Sequence, residues 1–144
     1  MTIIDISIIL FCILESLNII ILYFKPNIQQ GNGVGVFDNL EESKNSPSLE
    51  LFVSYLINWV AGVKLIFILL LFTILLTGTD VTKICAVICM IISIAVYFWR
   101  LHPIITKLDN MNKITPKGYS QALRNMILGF MIMFITALGI YFIG

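Results

Sequence analysis

The stretch Ile6–Phe24, ISIILFCILESLNIIILYF, is apolar around its whole circumference as a helix and long enough to cross a hydrocarbon core. Glu15 stands at its centre. The next such stretch, Phe52–Leu76, FVSYLINWVAGVKLIFILLLFTILL, carries Lys64 at its centre. One charge at a bilayer midplane costs roughly 2.5–3.5 kcal/mol on insertion scales. Two opposite charges at matching depth in neighbouring helices therefore read first as partners.

Two more runs follow, about Val81–Trp99 and Asn125–Ile143. The expected fold is all-α: a polytopic membrane protein whose residues 1–144 form one bundle of four transmembrane helices. Local chemistry sets the boundaries. Ser46-Pro47 and Thr115-Pro116 each place a hydroxyl N-cap before a proline at the first helical position. Gly78 reads as a C-terminal stop, with Thr79 or Asp80 capping the next helix across a tight hairpin. Pro103 is expected to end the third helix near Leu101. The helices are thus expected at about 6–24, 47–77, 80–101 and 116–143, with loops at about 25–46 and 102–115.

Composition agrees. Hydrophobic residues make up 59% of the chain and charged residues 12%, and mean hydropathy is +1.00. A soluble domain carries about 25% charged residues. A net charge of +1 offers no basic surface, so nucleic acid is excluded as a partner. Cys12, Cys85 and Cys89 all fall inside apolar runs and make no disulfide framework. The first run lacks a basic n-region and a small-x-small cleavage site before Lys25, and reads as a retained helix.

Orientation follows the basic residues. Lys25, Lys44, Arg100, Lys107, Lys113, Lys117 and Arg124 lie in the two longer connections, whereas Lys83 stands alone on the other side. That bias places both longer loops in the cytoplasm and both termini outside, in a cell membrane. Tyr23, Tyr55, Trp59, Tyr97, Trp99 and Tyr119 map to the same cytoplasmic interface.

The candidate polar site is Glu15, Lys64, Asn18 and Asn58. Glu15 and Asn18 share a helix face, and the asparagines lie ~4.5 Å and ~9 Å from the midplane on its cytoplasmic side by helical rise. Two uses fit. The plainer is a pin, in which the ion pair fixes helix register and the asparagines hydrogen-bond across helices. The other is an ion or substrate path opening inward. Cys85, Cys89 and Ser93 on the third helix, and Gly129, Thr136 and Gly139 on the fourth, read as small-residue packing faces. Two thiols are too few ligands for zinc.

His102, the only histidine, sits at the membrane edge and cannot supply paired haem ligands. Gly31-Asn32-Gly33-Val34-Gly35 lacks the strand, lysine and spacing of a phosphate loop and reads as a flexible linker. Val36, Phe37 and Leu40 suggest the apolar face of a short interfacial helix, with Glu41, Glu42 and Lys44 in water. With no nucleophile–base constellation or nucleotide motif, neither an enzyme nor a cofactor is expected. The expected partners are the lipid bilayer and other membrane proteins or further copies of the chain.

In helix count and in Glu15, midway along helix one, the chain is similar to the small four-helix multidrug exporters. That likeness implies a carrier with Glu15 as its titrating group. The long first loop and Lys64 depart from the pattern, and a lysine beside the glutamate would blunt proton-coupled cation exchange. The preferred reading is a non-enzymatic accessory or assembly subunit, the alternative a small transporter or ion-coupled carrier.

Overall fold

The structure, a computed structural model, describes residues 1–29 and 33–143. It is all-α: α1 (Ile3–Phe24), α2 (Asp38–Ser43), α3 (Pro47–Thr77), α4 (Asp80–Asn110) and α5 (Tyr119–Ile143), with a 3-10 turn at Val34–Val36. All but α2 are long and apolar enough to cross a membrane. At 1.5 Å per residue the 31 residues of α3 and of α4 each span ~46 Å. A hydrocarbon core is only ~30 Å thick, so both helices run well past it.

Packing seams recur at three- and four-residue spacing. Ile4, Ile8, Phe11, Ile19 and Leu22 are buried on α1, and Ile57, Ala61, Ile68 and Leu71 on α3. Glu15 and Lys64 fall at the missing steps of these two series. Helix α1 packs on α3 and α5 and α5 packs along α4, while α3 and α4 touch less despite their tight connection. Phe11 is the hub. Its ring centroid lies 6.2 Å from that of Phe67, 5.2 Å from Phe130 and 5.4 Å from Phe134, joining α1, α3 and α5. The core around it includes Val87 and Met90 of α4. Toward the loops it gives way to two smaller cores, one of Leu22, Ile57 and Ala61, the other of Val36, Tyr97, Ile105, Ile114, Tyr119 and Leu123.

Helix ends follow the sequence in part. Thr2 and Asp5 form a reciprocal capping box on α1. Pro47 opens α3, although the Ser46 side chain makes no capping bond. Gly78 ends α3, and the Thr79 hydroxyl accepts from the Thr82 N–H at 3.3 Å.

Two boundaries differ from expectation. Helix α4 continues through Pro103 to Asn110. The carbonyl that Pro103 leaves without its helical donor belongs to Trp99, an exposed residue at the end of the apolar run. Beyond it Ile105 is buried against the loops, which rewards continuing the helix. Helix α5 starts at Tyr119 rather than Pro116. Its cap is the Asp109 carboxylate, which accepts from the Gly118 N–H at 3.1 Å, the Ser120 N–H at 3.1 Å and the Ser120 hydroxyl at 2.6 Å. Gly118 has φ +79°, open to glycine without strain.

The two longer loops form a clasp. Phe37 and Ile114 pair as an isolated antiparallel bridge, with Asp38 N–H donating to the Lys113 carbonyl at 3.1 Å and Thr115 N–H to the Val36 carbonyl at 2.8 Å. The Thr115 hydroxyl donates to Asp38 Oδ1 at 3.0 Å, and Lys113 pairs with Glu42. That carboxylate raises the Lys113 ammonium above its usual range. Of the expected linker, Gly31 and Asn32 lie outside the described residues. The rest, Gly33 to Gly35, is packed: Gly33 is buried, and a Cβ on Gly35 would collide with the backbone of Asn27 and Ile28. The expected interfacial face is turned inward, Val36 into the core with Ile114, and Leu40 against the core of Leu22, Ile57 and Ala61.

Candidate functional site

Glu15 and Lys64 meet. Because each replaces an apolar residue on a packing seam, neither can turn away without breaking that seam. Lys64 Nζ donates to Glu15 Oε2 at 2.7 Å, the side chains 25% and 17% exposed respectively.

The four expected site residues do not gather into one pocket. Glu15 and Asn18 line a cavity of about 400 Å³ between α1 and α5, walled by Leu14, Leu17, Ile21, Met126 and Phe130. The Asn18 Oδ1 atom is buried and finds no hydrogen-bond partner among the described residues. Asn58 lies one position off the α3 seam, is exposed, and donates to the Ser54 carbonyl within its own helix at 2.8 Å. It lines a different cavity, between α1, α2 and the first turns of α3.

The expected small-residue packing faces lie on the outside of the chain. Cys85, Cys89, Ser93, Gly129 and Thr136 are exposed and Gly139 is half-buried. A Cβ added to Gly129 or Gly139 would meet nothing within 4 Å. The physical reason is register. The buried seams are Val87, Met90 and Tyr97 on α4 and Leu123, Phe134 and Ala137 on α5. Cys89 sits one residue before Met90 and Thr136 one before Ala137, about 100° round the helix. The close approach that small residues permit occurs on α3 instead, where Ala61 is fully buried and a Cβ on Gly62 would lie 3.5 Å from the Tyr23 hydroxyl of α1.

A second ion pair, outside the expected site, joins α1 to α4. Lys83 Nζ donates to Asp5 Oδ1 at 2.8 Å, their side chains only 14% and 10% exposed, so it is more enclosed than Glu15–Lys64. The other Asp5 oxygen accepts from the Thr2 N–H at 2.7 Å. Its signal was the same: opposite charges one turn inside the starts of two helices that begin at the same end.

His102 packs its ring 5.7 Å from that of Tyr97 and 6.1 Å from Phe98, half-buried rather than free in solvent. Among the described residues no three His, Cys, Asp or Glu side chains cluster to hold a metal.

Fold and composition together define a multi-pass membrane protein built on four spanning-length helices. Comparison with protein-family models, with curated proteins and with solved structures yields no match.

Proposed function

We propose that this chain is a non-enzymatic accessory or assembly subunit, its first two spans pinned in register by Glu15 and Lys64 near the bilayer midplane. The observation that carries the reading is the outward placement of Cys85, Cys89, Ser93, Gly129 and Thr136. In lipid, helix association rests on close backbone approach, which small residues permit. Within the chain nothing uses that opportunity at Gly129, so a helix of another membrane protein or another copy is its natural occupant. Cys89→Phe and Gly129→Leu should leave folded abundance unchanged and abolish a larger species in size analysis of mild detergent extracts. Wild type and variants all running as a single chain would sink the assembly reading.

A second reading, a small ion-coupled carrier with Glu15 as its titrating group, is favoured by the cavity that reaches Glu15 and by the unpartnered Asn18 oxygen. Purified protein in proteoliposomes would then carry a proton or cation flux lost in Glu15→Gln. Flux no greater than in protein-free vesicles would remove it.

In either case the proposed setting is a cell membrane with both termini outside and the clasped loops in the cytoplasm. The basic bias supports this orientation. In a cysteine-free background, single cysteines at Asn45 and Met111, both exposed, should resist an impermeant thiol reagent in intact cells. One at Thr79 should react. The opposite pattern would invert the orientation.

A further inference from the structure

The cavity that reaches Glu15 is the inner half of a longer groove between α1 and α5. A second cavity of about 260 Å³ continues it toward the outer end of the bundle, where Thr136 joins the lining. On α1 the lining falls at Ile3, Ser7, Leu10, Leu14, Leu17 and Ile21, in alternate steps of four and three. On α5 it falls at Met126, Phe130, Met133, Ala137 and Ile140, in the same alternation. Two rows at that spacing form the holes into which a third helix packs its side chains. From Ile3 to Ile21 the groove runs ~27 Å, close to the full thickness of a hydrocarbon core.

One level of the groove is polar. Glu15 Oε2 is taken by Lys64, and Oε1 accepts no hydrogen bond among the described residues. The Asn18 amide, one turn further in, makes none there either. Lipid chains can satisfy neither group. A hydroxyl serves both, donating to the carboxylate and accepting from the amide. The chain itself carries such a hydroxyl at that depth. Asp5 and Lys83 meet at the outer end. Glu15 lies ten residues beyond Asp5 and Ser93 ten beyond Lys83, so helical rise sets both ~15 Å inward. Ser93 is exposed, and its hydroxyl makes no hydrogen bond among the described residues. It continues the line of Cys85 and Cys89, whose small side chains let the α4 backbone sink into a groove. Copies related by rotation about the membrane normal keep every residue at its own depth, so only groups of equal depth can meet.

We infer that a second copy of this chain seats its α4 in the α1–α5 groove, with the Ser93 hydroxyl between Glu15 and Asn18. The two faces differ, so the contact is head-to-tail and either closes into a ring or runs on as a chain of copies. The inference rests on the assembly reading and names its partner and both contact faces.

The test uses the full chain in cell membranes, in a cysteine-free background. Two differently tagged copies are co-expressed, one with Leu14→Cys and one with Ser93→Cys, both exposed positions, and the membranes are oxidised with copper phenanthroline. A disulfide should join the two tags, and neither variant expressed alone should cross-link to itself. Both substitutions in one chain should give a covalent ladder. In detergent extracts, Ser93→Ala should dissociate at about three- to tenfold higher concentration than wild type, the scale of one interhelical hydrogen bond. Thr73→Ala, exposed on α3 and away from both faces, should dissociate like wild type. Self-cross-linking of either single variant without the mixed product would replace the head-to-tail contact by a symmetric one and overturn the inference. A larger species that persists with no mixed disulfide, or that is unaltered in Ser93→Ala, would also overturn it while leaving the assembly reading standing. Chains that run singly throughout would overturn both.

Discussion

Glu15→Gln, made with Lys64 intact, is expected to lower stability in the bilayer by about 3 kcal/mol, the scale of one unpaired charge near the membrane centre. That is roughly a hundredfold in the folded-to-unfolded ratio. The reason is geometric. Both residues lie on the seam between α1 and α3, 2.7 Å apart, so the ammonium left behind has apolar neighbours along its own seam. Lys64→Met should cost a similar amount by stranding the carboxylate. The double variant, which leaves no orphan charge, should recover most of the loss, as replacement of buried pairs by apolar residues often does. Reversible unfolding in bilayers, measured on all four proteins of the cycle, reads the coupling directly. A Glu15→Gln protein as stable as wild type would refute the pin. If the double variant recovers its abundance but not a flux present in wild type, the carrier reading gains instead.

Breaking the Asp5–Lys83 pair should have the next largest effect, about 1.5–3 kcal/mol for a hydrogen bond between charged groups. On the proposed four-span placement Lys83 begins near the membrane surface and can extend toward water when its partner is lost, which limits the damage. The two single variants should differ. Lys83→Met removes the pair alone, whereas Asp5→Ala also dismantles the capping box with Thr2 and should cost about 1 kcal/mol more. Unchanged stability in Lys83→Met would show that α1 and α4 are not held together there.

The four long helices were legible because a run poor in charge and about twenty residues long has few alternatives. Their faces were not. Leu10, Ile13, Leu17 and Ile20 on α1 are as apolar as the buried Ile4, Ile8 and Phe11. Hydrophobic periodicity, which marks the inner face of a helix in water, is therefore nearly silent here. Charges broke the silence at Glu15 and Lys64. Small residues at Cys85, Cys89, Gly129 and Thr136 mark faces built for close approach, and such a face does not say whose helix approaches. Depth alone groups Asn58 with Glu15, and Asn58 stands one position off the α3 seam that carries Lys64. The ends of α4 and α5 escaped a local reading because Asp109, ten residues before Tyr119, does the capping.

The clasp and the Asp5–Lys83 pair tie distant parts of the chain at opposite ends of the bundle. Thr115 reaches Asp38 across 77 positions, and Lys83 reaches Asp5 across 78. A chain emerging from synthesis meets these partners in order. The Asp5–Lys83 tie can close once the start of α4 has appeared, before α5 exists. The clasp must wait until all of α4 and the turn beyond it have been made. Biogenesis thus has a built-in sequence, with α1 fastened to α4 first and the loops locked last, over helices already in place.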